Sequence, residues 1–334
     1  MASSPEVGSP PTIKVEDVTK RFGKLTALHR VSFGIGEGET CGLVGESGSG
    51  KTTLGRCVLK LLRIDAGRIE FRGKRIDNLP ERAFRAYRRS VQFVFQNPLA
   101  SFNPFYKIET SLLENTRLNP GVTRQKRLER IRSEIERVGL PKRVLEVKPT
   151  RLSGGQLQRA ALARALVTDP SFIVLDEPSS ALDISTRGQI ITLLMDIQRE
   201  RGVSYLIISH DLRVVRSIAH RVFVMYLGEI VESGSNEAVF ESPKHPYTRA
   251  LLRASKMEAP AGVLQARDVL HGEVTQADVA LPGCKLAPRC AYANDRCHEE
   301  LQALVDTGDA HMVRCWRTTE ARASSPEWVE RGRV

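Results

Sequence analysis

The run Gly45-Glu46-Ser47-Gly48-Ser49-Gly50-Lys51-Thr52 constrains this chain more than any other stretch. It fits the pattern G-x-x-x-x-G-K-[ST]. Ahead of it lies the apolar run Cys41-Gly42-Leu43-Val44, which reads as a buried strand, and behind it Leu54, Val58, Leu61 and Leu62 fall on one helical stripe. Strand, glycine-rich turn and helix are the setting this motif needs. Successive backbone N–H groups turn inward around a chain of phosphates, the helix start adds positive potential, and a lysine reaches the outer phosphates. Here Lys51 is that lysine, Thr52 offers a hydroxyl to Mg²⁺, and the candidate phosphate-binding set runs through Gly45, Glu46, Ser47, Gly48, Ser49, Gly50, Lys51, Thr52 and Thr53. A chance Gly/Ser turn before Lys-Thr would lack these flanks.

A second half of the site is written at the end of the apolar run Phe172-Ile173-Val174-Leu175, which closes in Asp176-Glu177. A carboxylate at the carboxyl end of a buried strand reaches the metal beside a phosphate loop, so Asp176 is the expected Mg²⁺ partner. Glu177 is expected on the other side of the strand line, as the general base that polarises an attacking water. Taken alone, two acids at a strand end would read as a solvated turn.

The rest of the chain alternates. Residues 12 to 45 read as strands and turns; from Ser171, FIVLDE, a helix through Gln189 to Arg199, SYLIISH, a further helix and VFVMYLGEIVE follow. Apolar strands alternating with helices predict an α/β fold with a mainly parallel sheet. A section from about 98 to 165 interrupts it as an inserted helical subdomain, where Arg124 to Arg143 alternate with Glu as on an exposed, salt-bridged helix. With 334 residues the chain exceeds what one core usually serves, so 12–242 is read as the main domain and 243–334 as a smaller appended module, after an unstructured 1–11.

Hydrophobic residues at 41% and charged residues at 27% exclude a mostly disordered chain. The longest apolar runs, Phe172 to Leu175 and Val222 to Leu227, fall far short of the roughly 20 residues that cross a bilayer. The Ser/Pro-rich start lacks the basic-then-apolar pattern of a secretory signal, so the chain is expected to stay in the cytosol. The net charge of +11 is spread along the chain and identifies no partner by itself.

Leu152-Ser153-Gly154-Gly155-Gln156, just ahead of the acidic strand, makes the sequence resemble the ATPases of ABC transporters, whose signature is LSGGQ. The resemblance extends to Gln96 in VFQNP, to Ser180-Ala181-Leu182-Asp183, to His210 in ISHD and to Phe22 in KRFGK, in the family's order over residues 12 to 240. It implies a P-loop ATPase fold with an added antiparallel N-terminal sheet. It further implies that Phe22 stacks on adenine, that Gln96 joins Thr52 and Asp176 at Mg²⁺, and that His210 contacts the γ-phosphate beside Glu177. Leu152, Ser153, Gly154, Gly155, Gln156 and Asp183 are implied to act in trans, on ATP held by a second ATPase subunit, either a paralogue or an identical chain.

FQNPLASFNP (95–104) and HPYTRALL (245–252) resemble segments of the oligopeptide/dipeptide and nickel importer branch. That branch implies two membrane permease subunits, an extracytoplasmic binding protein, and a place at the cytoplasmic face of the inner membrane. Nickel, an opine or a glycan fragment is the alternative cargo. A soluble ABC ATPase on nucleic acid or ribosomes is the other rival, although no nucleic-acid partner is expected.

Cys284, Cys290, Cys297 and Cys315 are spaced C-x5-C-x6-C-x17-C. In a cytosolic chain such clustering argues for a soft metal centre over disulfides. The resemblance favours a [4Fe-4S] cluster; zinc, whose paired ligands prefer closer spacing, is the alternative. His298 and His311 are expected at the surface, and Cys41 and Cys57 in the core.

Overall fold

A computed structural model describes residues 10–119, 121–179, 184–257, 260, 263–274, 278 and 281–318. Two sheets organise them. β1 (Ile13–Phe22) and β2 (Leu25–Ile35) form an antiparallel hairpin, because Ile13, Val15, Val31, Phe33 and Ile35 alternate onto a buried face. The chain then crosses to β3 (Thr40–Val44) in the second sheet and returns for β4 (Ala66–Phe71) and β5 (Lys74–Arg75), giving a first sheet of order β2-β1-β4-β5.

The second sheet adds β6 (Val91–Val94), β7 (Phe172–Asp176), β8 (Ser204–Ile208), β9 (Arg221–Tyr226), β10 (Glu229–Ser235), β11 (Val305–Asp306) and β12 (Met312–Val313). Its order is β11-β12-β10-β9-β3-β8-β7-β6. The span from β9 to β6 is parallel, as the apolar runs predict, and β3, β7 and β8 are buried along their whole length. VFVMYLGEIVE, which reads as one strand-like run, is two: the chain reverses at Leu227 and Gly228, both with positive φ (42° and 81°), the signature of a tight hairpin turn.

The helix after the phosphate loop spans Lys51–Val58 and stops short of the predicted stripe. Lys60 adopts a left-handed φ of 53°, Leu61 N–H closes back on the Arg56 carbonyl at 2.8 Å, and Leu61 stays 39% exposed. The helices Ile108–Asn115, Arg124–Arg137 and Gly154–Leu166 meet through Ile108, Leu112, Ile131, Ile135 and Leu157. The Arg/Glu-rich helix is not simply a solvated face. Glu134 is buried and takes Arg201 Nη2 at 2.6 Å from the helix Ile184–Arg201, so the ion pair ties two helices together.

Beyond residue 243 the chain shares a core with the parallel sheet: Tyr247 and Leu252 of the helix Pro246–Ala254 and Leu286 pack with Val44, Val224 and Val231. β12 extends the sheet through β10. The joint is polar inside. Glu232, fully buried, accepts from the Lys244 and His245 N–H groups at 2.7 and 3.0 Å, and His311 Nε2 lies 2.7 Å away. This corrects the expectation for His311, which is buried because a carboxylate inside the core needs donors around it. His298 is exposed as expected. Among the described residues no helix is long and apolar enough to cross a membrane.

His245 is fully enclosed, and burial pulls its pKa down to about 4. A histidine depressed in the fold is neutral there while the unfolded chain takes up a proton, so stability is lost as pH falls below the unfolded value near 6.5, by about 2 kcal/mol at pH 5. The melting temperature of the wild type should therefore drop more between pH 7 and 5 than that of His245→Asn, which keeps an acceptor for the Tyr247 N–H. Parallel pH profiles would exclude His245 as the source.

Candidate functional site

The predicted phosphate loop leaves the end of β3, and its geometry explains its composition. Gly45 has φ 150°, and a Cβ there would overlap the Met225 carbonyl. Lys51, buried at the helix start, donates from Nζ to the Gly45 and Glu46 carbonyls at 2.8 and 2.7 Å and to Ser49 Oγ at 3.2 Å. Burial lowers the Lys51 pKa, and the carboxylates of Glu177, Asp176 and Glu46 oppose that shift. A cation held in a nearly dry site beside backbone N–H groups is suited to a polyanion.

Thr52 Oγ1 donates to Asp176 Oδ1 at 3.0 Å. Asp176 is buried at the end of β7; burial raises its pKa and the Thr52 hydrogen bond works against the rise. A hydroxyl and a carboxylate oxygen side by side are the donor types that a hard divalent cation takes, and Gln96 lines the same recess.

Glu177 reaches this recess by a different route from strand alternation. The chain turns left-handed at Glu177 (φ 51°), its N–H held by the Ile208 carbonyl at 2.8 Å, and its carboxylate lies 2.6 Å from His210 Nδ1. A non-glycine residue in this conformation is strained, and such strain concentrates at working sites. Phe22, Ser47, Gly48, Gly50, Thr53 and His210 complete the same recess, whereas Gly45, Glu46 and Ser49 are not among its lining residues. Phe22 is 47% exposed at the end of β1, as a stacking platform requires.

Sequence reasoning missed the far wall. Thr26, Ala27, Leu227 and Gly228 also line the recess. The Gly228 N–H donates to the Ser49 carbonyl and its own carbonyl accepts from the His29 N–H, both at 2.9 Å. A Cβ on Gly228 would overlap the Ala27 carbonyl. The Leu-Gly pair inside an apolar run was the available signal.

The signature residues sit elsewhere. Ser153 caps the helix Gly154–Leu166 in a capping box, accepting from the Gln156 N–H at 3.3 Å while Gln156 Oε1 accepts from the Ser153 N–H at 3.1 Å. A hydroxyl that accepts here still has its O–H to donate. Ser153, Gly155 and Gln156 face a second, open recess shared with Gly139, Arg159 and Gln189, while Leu152 packs on the helical core. Ser180 to Asp183 lie outside the described residues.

Cys284, Cys290, Cys297 and Cys315 line one recess with Tyr292, Trp316 and Arg317. Among the described residues no three His, Cys, Asp or Glu side chains stand close enough to hold one metal ion. Burial pushes the Cys284 thiol up to about 12, Cys290 up to about 11 and Cys315 upward as well. Cys41 and Cys57 are buried in the core, as expected.

The chain is similar to known proteins over most of its length. Residues 28–180 match the family described as ABC transporter, and residues 231–297 match the oligopeptide/dipeptide transporter C-terminal region. A putative peptide import ATP-binding protein of Brucella ovis is 42% identical over 311 residues, 92% of this chain and 98% of that protein. The glutathione import ATP-binding protein GsiA of Shigella dysenteriae is 46% identical over 279 residues, 80% of this chain and 45% of that longer protein. Among solved structures, the dimeric ATP-binding cassette MJ0796 with ADP and phosphate superposes with a TM-score of 0.63 at 29% identity, covering 67% of this chain and 98% of the cassette. The cassette cbiO1 of Clostridium perfringens gives 0.63 at 28% identity, covering 69% and 90%.

Proposed function

The chain belongs to the ATP-binding family of ABC transporters, and we propose that it powers uptake of di- and oligopeptides through separate membrane permease subunits. It is an ATPase. One observation carries the reading of its site: Lys51 and Thr52 of the phosphate loop and the Glu177–His210 pair line one recess, with Asp176 hydrogen-bonded to Thr52, while the Ser153 cap faces another. A helix cap with a free hydroxyl donor, set apart from its own triphosphate site, suits ATP held by a second ATPase subunit. Gly154 supports this, because a Cβ there meets nothing within 4 Å and the folded chain alone does not require glycine at that position.

In this reading Thr52, Asp176 and Gln96 hold Mg²⁺, which neutralises phosphate charge. Phe22 carries the adenine and Lys51 grips the outer phosphates. Glu177 takes the proton of the attacking water; His210, with Nδ1 turned to Glu177, offers its other ring nitrogen to the γ-phosphate. Asp183 reaches across to the partner. ATP closes two subunits face to face, and loss of the γ-phosphate lets them part, which drives the permeases. The motor occupies 12–242, with its helical subdomain near 98–165, and the extension 243–334. It works at the cytoplasmic face of the inner membrane, beside a paralogous ATPase and beneath an extracytoplasmic binding protein.

The names of the relatives and the C-terminal family match support peptide as cargo. In membranes containing the assembled transporter, binding protein loaded with short peptides should stimulate ATP turnover. Stimulation by nickel or a glycan with none by peptides would reverse the assignment.

The extension's four cysteines fit a [4Fe-4S] cluster better than zinc. They line one recess, and their spacings of five, six and seventeen residues lack the closely spaced ligand pairs that structural zinc sites favour. Anaerobically purified protein should be brown, with absorbance near ~400 nm and about four irons per chain. Colourless protein with one zinc per chain would settle the matter for zinc.

A further inference from the structure

Every polar group of Glu46, the second residue of the phosphate loop, is held. Its carbonyl accepts from Lys51 Nζ at 2.7 Å and from the Ser49 N–H at 3.2 Å, both within the loop. Its other two attachments come from the far end of the chain. The Glu46 N–H donates to Tyr247 Oη at 2.7 Å, and the Glu46 carboxylate receives Arg289 Nη1 at 2.8 Å and Nη2 at 3.2 Å, a two-pronged fork. Tyr247 and Arg289 stand 201 and 243 positions away, in the extension that carries the four cysteines.

These two residues are themselves fixed. Tyr247 is fully buried with its ring centroid 4.6 Å from that of Tyr226, and Arg289, also buried, places Nη1 3.3 Å from Tyr226 Oη. The chemistry gives the arrangement a purpose beyond cohesion. A carboxylate in a loop that must wrap several negative phosphate charges opposes the ligand unless a cation cancels it, and a guanidinium does so without losing its own charge. The Tyr247 hydroxyl meanwhile occupies the Glu46 N–H and ties the loop, just beyond the end of β3, to the extension.

We propose that Arg289 and Tyr247 are positioning residues of the phosphate loop, so that the cysteine-bearing extension sets how tightly the motor holds ATP. The inference rests on the ATPase reading of the loop and goes beyond it, since neither residue touches the recess that receives the nucleotide. It predicts a change in affinity more than in turnover at saturation.

The test is equilibrium binding of a fluorescent ATP analogue to the full chain, with steady-state kinetics and melting curves alongside. Arg289→Met should weaken binding and raise KM for ATP about 10-fold with kcat within about 2-fold, and Tyr247→Phe should weaken binding about 3-fold. Adding Glu46→Gln to Arg289→Met should recover most of the loss, because the uncompensated charge is then gone. A tie that served stability alone would lower the melting temperature, leave KM within about 2-fold and show no recovery in the double variant; that result overturns the proposal. Should Arg289→Met fail to fold, Arg289→Gln, which removes the charge but keeps a donor for the Glu46 carboxylate, and Tyr247→Phe decide by the same KM criterion. Lys51→Ala separates the two readings. Its loss of binding alongside unaffected Arg289 and Tyr247 variants sinks only the proposed clasp, whereas intact binding in Lys51→Ala sinks the ATP site itself.

Discussion

Lys51→Ala should lose nucleotide binding by about 100-fold or more, since removing one member of a desolvated charge pair costs on the order of 3 kcal/mol. The side chain is placed for this. It is buried at the start of its helix with Nζ among the loop carbonyls, and among the described residues no other Lys or Arg lines the recess. Titration with a fluorescent ATP analogue gives the answer directly. Binding within about 3-fold of wild type would overturn the assignment of this recess as the ATP site.

Glu177→Gln should do the opposite kind of damage. The amide is nearly isosteric, so the left-handed turn and the approach to His210 can persist, but it cannot take a proton from water. ATP binding should survive and turnover should fall between about 10² and 10⁴-fold, the range that a general base supplies. With hydrolysis blocked, the closed pair should accumulate as an ATP-dependent dimer on size-exclusion chromatography when the variant is mixed with its paralogous ATPase subunit. Undiminished turnover would remove Glu177 from the role of base, and reduced turnover without a dimer would point to lost nucleotide affinity.

The balance of local and distant information differs from one part of the site to another. The phosphate loop was legible because its chemistry is local: a strand, the turn and a helix within some twenty residues carry both the backbone shape and the ligands. Asp176 was legible for the same reason, an acid at the end of a buried strand. Glu177 was legible as a residue but not as a geometry. The alternation rule that placed it across the strand line gave way to a left-handed backbone fixed by the Ile208 carbonyl. The signature helix was legible as a capping box, yet only the fold shows its serine facing a recess away from the phosphate loop.

Residue types and short spacings thus determined the strand–turn–helix cradle, the run of parallel strands and the cysteine spacing. Tertiary structure alone decided that the hairpin at Gly228 closes over Ser49, that His311 is drawn inside to serve Glu232, and that Arg289 reaches Glu46 across 243 positions. The physical reason is the range of the interactions. Backbone conformation and amphipathic period are set by neighbours a few residues apart, whereas an ion pair or a buried hydrogen bond between remote segments leaves no periodic trace in the chain and exists only once the sheet has brought its two ends together.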